Sequence, residues 1–259
     1  MGVIRRIHVP VLRPGSNPLD PAQAHHVRDV LRLTDGAGVE AFDDAGATAS
    51  AVLRLSNGQA VSVWVDHISP APVARLRLTV ASAVPKGDRA DWMVEKLSEL
   101  GADAFIPLAT ARSVVLPEGK NKRDRWLRLA TEAAKQSRRP GVMRIEELTP
   151  LEVAVAKVAG GRIHGSGFGV LEGAIQAART AGWFFATEVV GIPIAEAIAG
   201  SHSLEDLTLF IGPEGGWTIE EIAAFERAGL SAVKLTDTVL RVETAAVAAA
   251  AVVASTLQL

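Results

Sequence analysis

The sequence predicts an α/β fold in which a small β-rich module, best described as a small barrel, precedes a larger domain of alternating strands and helices. Three observations carry that reading. Short, partly alternating apolar runs separated by turn signals crowd residues 39 to 68, Ser69-Pro70-Ala71-Pro72 is the clearest linker, and strand-length and helix-length patterns alternate beyond it. The expected domains are therefore 1–72 and 73–259.

In the first module the strands are Val39 to Phe42, Ala49 to Leu55 and Val61 to Ile68, parted by Asp43-Asp44-Ala45-Gly46 and Ser56-Asn57-Gly58. Ahead of them, His25 to Arg32 has helical spacing at Val27, Val30 and Leu31, which puts Arg28 and Arg32 four apart on one face. The adjacent histidines point about 100° apart on a helix, and no third ligand follows at a suitable spacing. No metal is expected.

In the second domain Leu76 to Ala83 is a strand, and Lys86-Gly87-Asp88 turns into a helix striped by Ala90, Met93, Val94, Leu97 and Leu100 and ended by Gly101. Ala104 to Leu108 follows as a strand. The helix from Lys122 to Ser137 buries Trp126, Leu129, Ala130 and Ala133. A strand near Met143 to Ile145 and a helix from Pro150 to Ala159 come next. Residues 160 to 181 carry little signal: Gly165-Ser166-Gly167-Phe168-Gly169 lacks the spacing of a nucleotide loop and reads as a glycine-rich connection. Strands are expected at Gly182 to Thr187, Leu207 to Ile211 and Val233 to Thr236, and a last helix from Glu243 or Thr244 to Leu257.

Composition narrows the function. Hydrophobic residues make up 48% and charged residues 22% of 259, the balance of a water-soluble globular chain with a sizeable core. Without cysteine there is neither a disulfide framework nor a thiolate metal site. Met1 to Pro10 has no apolar core of a signal peptide, and Ala245 to Val253 is too short to span a bilayer, so a cytoplasmic protein is expected. The net charge of -2 is unevenly spread: residues 112 to 144 hold ten Lys/Arg against three Asp/Glu, and residues 145 to 259 hold six against fourteen. That basic region suggests a local polyanion contact, against the alternative of a solvated helix face. Tyrosine is absent and aromatics total 5%, which argues against a single-strand stacking platform.

Two runs carry the chemistry: Ile211-Gly212-Pro213-Glu214-Gly215-Gly216 and Leu240-Arg241-Val242-Glu243-Thr244-Ala245-Ala246. The first follows a strand, its glycines and proline forbid a regular element, and Thr218-Ile219-Glu220-Glu221 then has capping-box spacing. Such a strand-to-helix loop is the usual place for a site in an α/β sheet. One helix and one strand separate the runs, so both are expected at one sheet edge.

The ordered pair resembles the cofactor loops of the RsmE family within the SPOUT, or trefoil-knotted, methyltransferases. Lys86-Gly87-Asp88, Glu95 to Gly101, Ala111-Arg112-Ser113-Val114, Glu132 to Ser137 with Arg139, and His26 with Val30-Leu31-Arg32 extend the resemblance over nearly the whole chain, except at about 160 to 205. It implies an S-adenosylmethionine-dependent homodimer that methylates N3 of uridine 1498 of 16S ribosomal RNA in the small ribosomal subunit. It also implies a PUA-like barrel that binds RNA and a C-terminal domain with a deep trefoil knot.

On that reading the donor site comprises Ile211, Gly212, Pro213, Glu214, Gly215, Gly216, Leu235, Val239, Leu240, Thr244 and Ala245. Alignment of donor and base comes first, and removal of the N3 proton second. Arg241 is the substrate candidate, able to bind a phosphate or to stabilise charge on a uracil carbonyl; pairing with Glu243 is its structural alternative. Glu243 serves as general base or as helix cap, and Glu214 reads as a loop brace more than a catalyst. Arg28, Arg32, Arg112, Lys122, Arg123, Arg125, Arg138 and Arg139 are the RNA-contact candidates. A related enzyme acting on tRNA or on a ribose 2′-hydroxyl and a non-catalytic ribosome-assembly factor are the alternatives.

Overall fold

The computed structural model describes residues 5–56, 60–72, 76–117, 119–163, 179–201 and 203–257. The glycine-rich stretch 165–169 and the tip of the Ser56-Asn57-Gly58 turn lie outside them. The chain forms two compact units, Met1–Val73 with Thr131–Val142, and Ala74–Ala130 with Met143–Leu259.

The first unit is built on a mixed sheet of β1 (Arg6–His8), β2 (Gly15–Pro18), β3 (Gly38–Phe42), β4 (Thr48–Leu55) and β5 (Val61–Val65), ordered β1-β3-β4-β5-β2. Among the described residues it has two open edges, β1 and β2, so the expected barrel is present as an unclosed five-stranded sheet. Alternation decides its core: Val39, Ala41, Ala51, Leu53, Val63 and Val65 turn inward around Val27. Segment 131–142 joins this unit through Arg6, whose guanidinium donates to the carbonyls of Ala134 (3.1 Å) and Arg139 (3.0 Å), pairs with Glu40 (2.7 Å) and lies over the Phe42 ring.

The helical run before β3 differs from its expected form. Asp20 caps α1 (Pro21–His25), which passes into a π-helical turn at His26–Val30. Arg32 lies beyond it in the left-handed region (φ 51°), and Arg28 pairs with Asp29. The two arginines therefore do not share a helix face.

The second unit holds eight parallel strands, β6 (Arg77–Ser82), β7 (Ala104–Ala109), β8 (Arg144–Ile145), β9 (Thr149–Pro150), β10 (Thr180–Phe185), β11 (Ile192–Pro193), β12 (Asp206–Ile211) and β13 (Ser231–Lys234). Their order is β11-β13-β10-β12-β6-β7-β8, with β9 also on β7. The helices are α2 (Asp88–Glu99), α3 (Lys120–Ser137), which runs from this unit into segment 131–142, α4 (Leu151–Ile163), α5 (Ile194–Ala199), α6 (Ile219–Arg227) and α7 (Val242–Leu257). The short β1, β2, β9 and β11, and α5, lack the length for a legible period.

Two packing features position the site. Phe184 of β10 stacks on Phe225 of α6 (centroids 4.5 Å apart, planes 10°), and Phe210 and Trp217 meet the same ring edge-on. Each such pair contributes about 0.5–1.5 kcal/mol beyond area burial. On the other side, α2 and α3 meet at Asp91, which accepts from Arg125 Nε (2.6 Å), Trp126 Nε1 (2.8 Å) and Lys122 Nζ (3.1 Å).

Candidate active site

Register places three loops at one edge. Phe185, the last residue of β10, is level with Ile211 of β12 and with Val233 of β13. The chain leaves all three strands on the same side, and a pocket opens between the loops. Its walls come from Phe185 to Glu188 after β10, from the glycine loop after β12, from Lys234 to Leu240 after β13, and from Val242 and Ala245 of α7. Loops at the carboxyl ends of adjacent parallel strands are where α/β sheets place ligands.

Of the residues expected at the donor site, Ile211, Gly212, Pro213, Glu214, Gly216, Leu235, Val239, Leu240 and Ala245 line the pocket. Gly215 and Thr244 do not. Gly215 turns toward Arg112, whose Nη1 donates to the carbonyls of Gly215 (2.7 Å) and Trp217 (3.1 Å). A Cβ on Gly215 would meet Arg112 at 3.3 Å. Thr244 is exposed on the first turn of α7.

Sequence reasoning missed three contributors. The first is the loop Phe185 to Glu188, whose only signal was the end of the strand at 182–187. Glu188 lies where a Cβ on Gly216 would go, and Gly216 itself has φ 70°, a conformation open chiefly to glycine. The second is Trp217, buried beneath the loop. Its indole nitrogen donates to the Phe185 carbonyl (2.8 Å), tying the first loop to the second, and a Cβ on Gly212 would sit 2.9 Å from its ring. Behind the loop, the capping box of α6 forms as expected, and buried Glu221 accepts from both Thr218 N (2.8 Å) and Ala111 N (2.8 Å). The glycine loop is thereby held by its neighbours, while its pocket side is open.

The third is Arg89, in the first turn of α2. Its guanidinium lies 3.4 Å from Glu243 Oε1 and 3.8 Å from Glu214 Oε1, joining the two motif runs. Glu243 is buried and paired with Arg89; no ion pair joins it to Arg241. Its Oε2 is buried without a hydrogen-bond partner. Arg241 is exposed outside the pocket lining, and its carbonyl accepts from Ala245 N (2.8 Å) at the start of α7.

The RNA-contact candidates are divided between the two units. Arg112, Lys122, Arg123 and Arg125 belong to the second unit, and Arg28, Arg32, Arg138 and Arg139 to the first. Lys122 and Arg125 pair with Asp91, Arg123 donates to the Ile145 carbonyl (2.9 Å), and Arg138 adopts a left-handed conformation (φ 57°) past the end of α3. Among the described residues no group of three His, Asp or Glu side chains could hold a metal ion; His25 pairs with Asp29 (2.6 Å).

The family model described as an RNA methyltransferase domain matches residues 72–254. A ribosomal RNA small subunit methyltransferase E from Mycobacterium tuberculosis is 32% identical over 235 residues, 89% of this chain and 83% of the relative. The chain belongs to the ribosomal RNA small subunit methyltransferase E family. The Synechocystis member is 32% identical over 88% of this chain and 69% of its own length. The fold is shared with the Neisseria gonorrhoeae member bound to S-adenosyl methionine (TM-score 0.77, 24% identity, 97% of each chain). A Porphyromonas gingivalis structure described as a probable rRNA-methyltransferase gives a TM-score of 0.79 at 23% identity, over 98% of each chain.

Proposed function

We propose that this protein transfers a methyl group from S-adenosylmethionine to N3 of one uridine of 16S ribosomal RNA, the residue numbered 1498, in the small ribosomal subunit. The observation that carries the reading is the three-loop pocket at the ends of β10, β12 and β13, lined by both motif runs. Its chemistry fits such a donor. Gly212 and Gly216 line the pocket and would offer backbone groups to the adenosine, Leu235, Val239 and Leu240 would offer apolar contact, and Glu188 and Glu214 would favour a cationic sulfonium. When bound, the donor supplies an activated methyl group. The protein's tasks are alignment and deprotonation.

In this reading Glu243, whose Oε2 has no partner, takes the N3 proton. Arg241, exposed beside it in sequence, contacts the RNA or the uracil oxyanion. The N-terminal sheet is a PUA-like RNA-binding module, and residues 73–259 form a trefoil-knotted methyltransferase domain. A homodimer is supported by the partly exposed alanine and valine face of α7 and by Trp92 of α2, 46% exposed. Among the described residues no helix is long and apolar enough to cross a membrane, and we place the enzyme in the cytoplasm with the ribosome.

The test is incubation with labelled S-adenosylmethionine and small subunits lacking the modification, followed by nucleoside mass spectrometry. The expected product is 3-methyluridine in 16S rRNA. A ribose-methylated product, methyl transfer to tRNA instead, or absence of donor binding by calorimetry overturns the assignment.

A further inference from the structure

The carboxylates of the second unit are unequally served. Asp91 accepts three side-chain donors, and both oxygens of Glu221 accept backbone N–H groups. Glu243 is buried to a similar degree, yet its hydrogen-bonding neighbour is Arg89 at 3.4 Å on Oε1, while Oε2 has none. An unsatisfied buried carboxylate oxygen costs at least as much as a lost hydrogen bond, and such groups persist where function needs them. Arg89 itself is divided. Its Nη1 faces Glu243, its Nη2 faces Glu214 in the pocket wall, and its Nε donates to the Lys86 carbonyl (3.3 Å) in the turn before α2.

We infer that Arg89 is a positioning residue for methyl transfer: it holds Glu243 by Oε1, leaves Oε2 to receive the substrate proton, and ties it through Glu214 to the donor loop. The inference rests on the proposed reading of Glu243 as proton acceptor. In the step it serves, the N3–H bond of uracil breaks, the electron pair stays on N3, and the proton forms a bond to Glu243 Oε2, from which it passes to water. A lysine in place of Arg89 preserves the positive charge but not the two-pronged reach of guanidinium.

The experiment compares R89A, R89K and E243Q of the full-length protein with wild type. It reads kcat and KM on unmodified small subunits, and donor affinity by calorimetry. R89A is expected to lower kcat about 10–100-fold, less than the roughly 100–10,000-fold of a whole general-base contribution because Glu243 itself remains. Its KM for subunits and its donor affinity should change less than threefold. R89K should recover kcat in part, and E243Q should lower kcat at least as far as R89A does. Wild-type kcat in R89A beside an impaired E243Q overturns the role of Arg89 alone. Wild-type kcat in E243Q overturns the proton-acceptor reading, and the role of Arg89 with it.

Discussion

The same parallel strands end in two different ways. At their amino-terminal ends charges are paired among the described residues: Arg77 of β6 forms a two-pronged pair with Asp206 of β12 (2.7 and 2.6 Å), Arg179 pairs with Glu205, and Asp103 accepts from Leu78 N (2.7 Å). At their carboxyl ends, Glu214 and Glu243 share one arginine at 3.8 and 3.4 Å, a buried oxygen lacks a donor, and Gly216 holds a left-handed backbone. One end is closed by paired charges, and the other departs from local optima at the proposed site. The strands provide the same scaffold to both; the loops make the difference.

That contrast predicts a graded set of effects. The largest is at Gly216, where a side chain has neither an allowed backbone nor space beside Glu188. Gly216→Ala should weaken S-adenosylmethionine binding by ~10–100-fold in calorimetry, following a strain of about 1–3 kcal/mol. Gly215→Ala should act less, because its side chain meets the flexible Arg112 stem outside the pocket. Equal losses would show that Gly215 also faces the donor.

The intermediate effect is at Asp91, a satisfied carboxylate two residues from Arg89. Burial works to raise its pKa, but hydrogen bonds from Lys122, Trp126 and Arg125 outweigh burial and hold it below the ordinary value. With the folded value below the unfolded one, the stabilisation is full above about pH 4 and is lost as pH falls toward the folded value. Asp91→Asn should cost about 1–3 kcal/mol in urea unfolding at neutral pH, and the gap to wild type should narrow in acid. Donor affinity should be unchanged. The smallest effect is at the opposite sheet end: Arg77, with a side chain 58% exposed, should cost under about 1 kcal/mol on replacement by alanine, with wild-type methylation. A loss of activity there would break the division between the two ends.

Much of this architecture was legible in advance. The strands at 76–83, 104–108 and 207–211 and the helix after Gly87 are written in apolar runs, stripes and turn residues, and the capping box at Thr218 to Glu221 is a local pattern that formed as read. Where the reading failed, the cause is non-local. Arg28 and Arg32 parted because the helix passed into a π-helical turn and ended before Arg32. The tie between Arg112, an RNA-contact candidate, and two carbonyls of a loop more than one hundred residues away is likewise beyond any local pattern. The loop at 185–188 carries no motif because it contributes position more than residue type.

By itself the sequence determined the α/β class, the two motif runs and their place after strands, since periodicity and turn chemistry act over a few residues. Tertiary structure alone decided that Phe185, Ile211 and Val233 end level, that Gly215 faces away from the pocket, and that Arg89 stands between Glu214 and Glu243. Those facts depend on strand register and helix packing, which bring together groups too far apart in the chain for any local pattern to link.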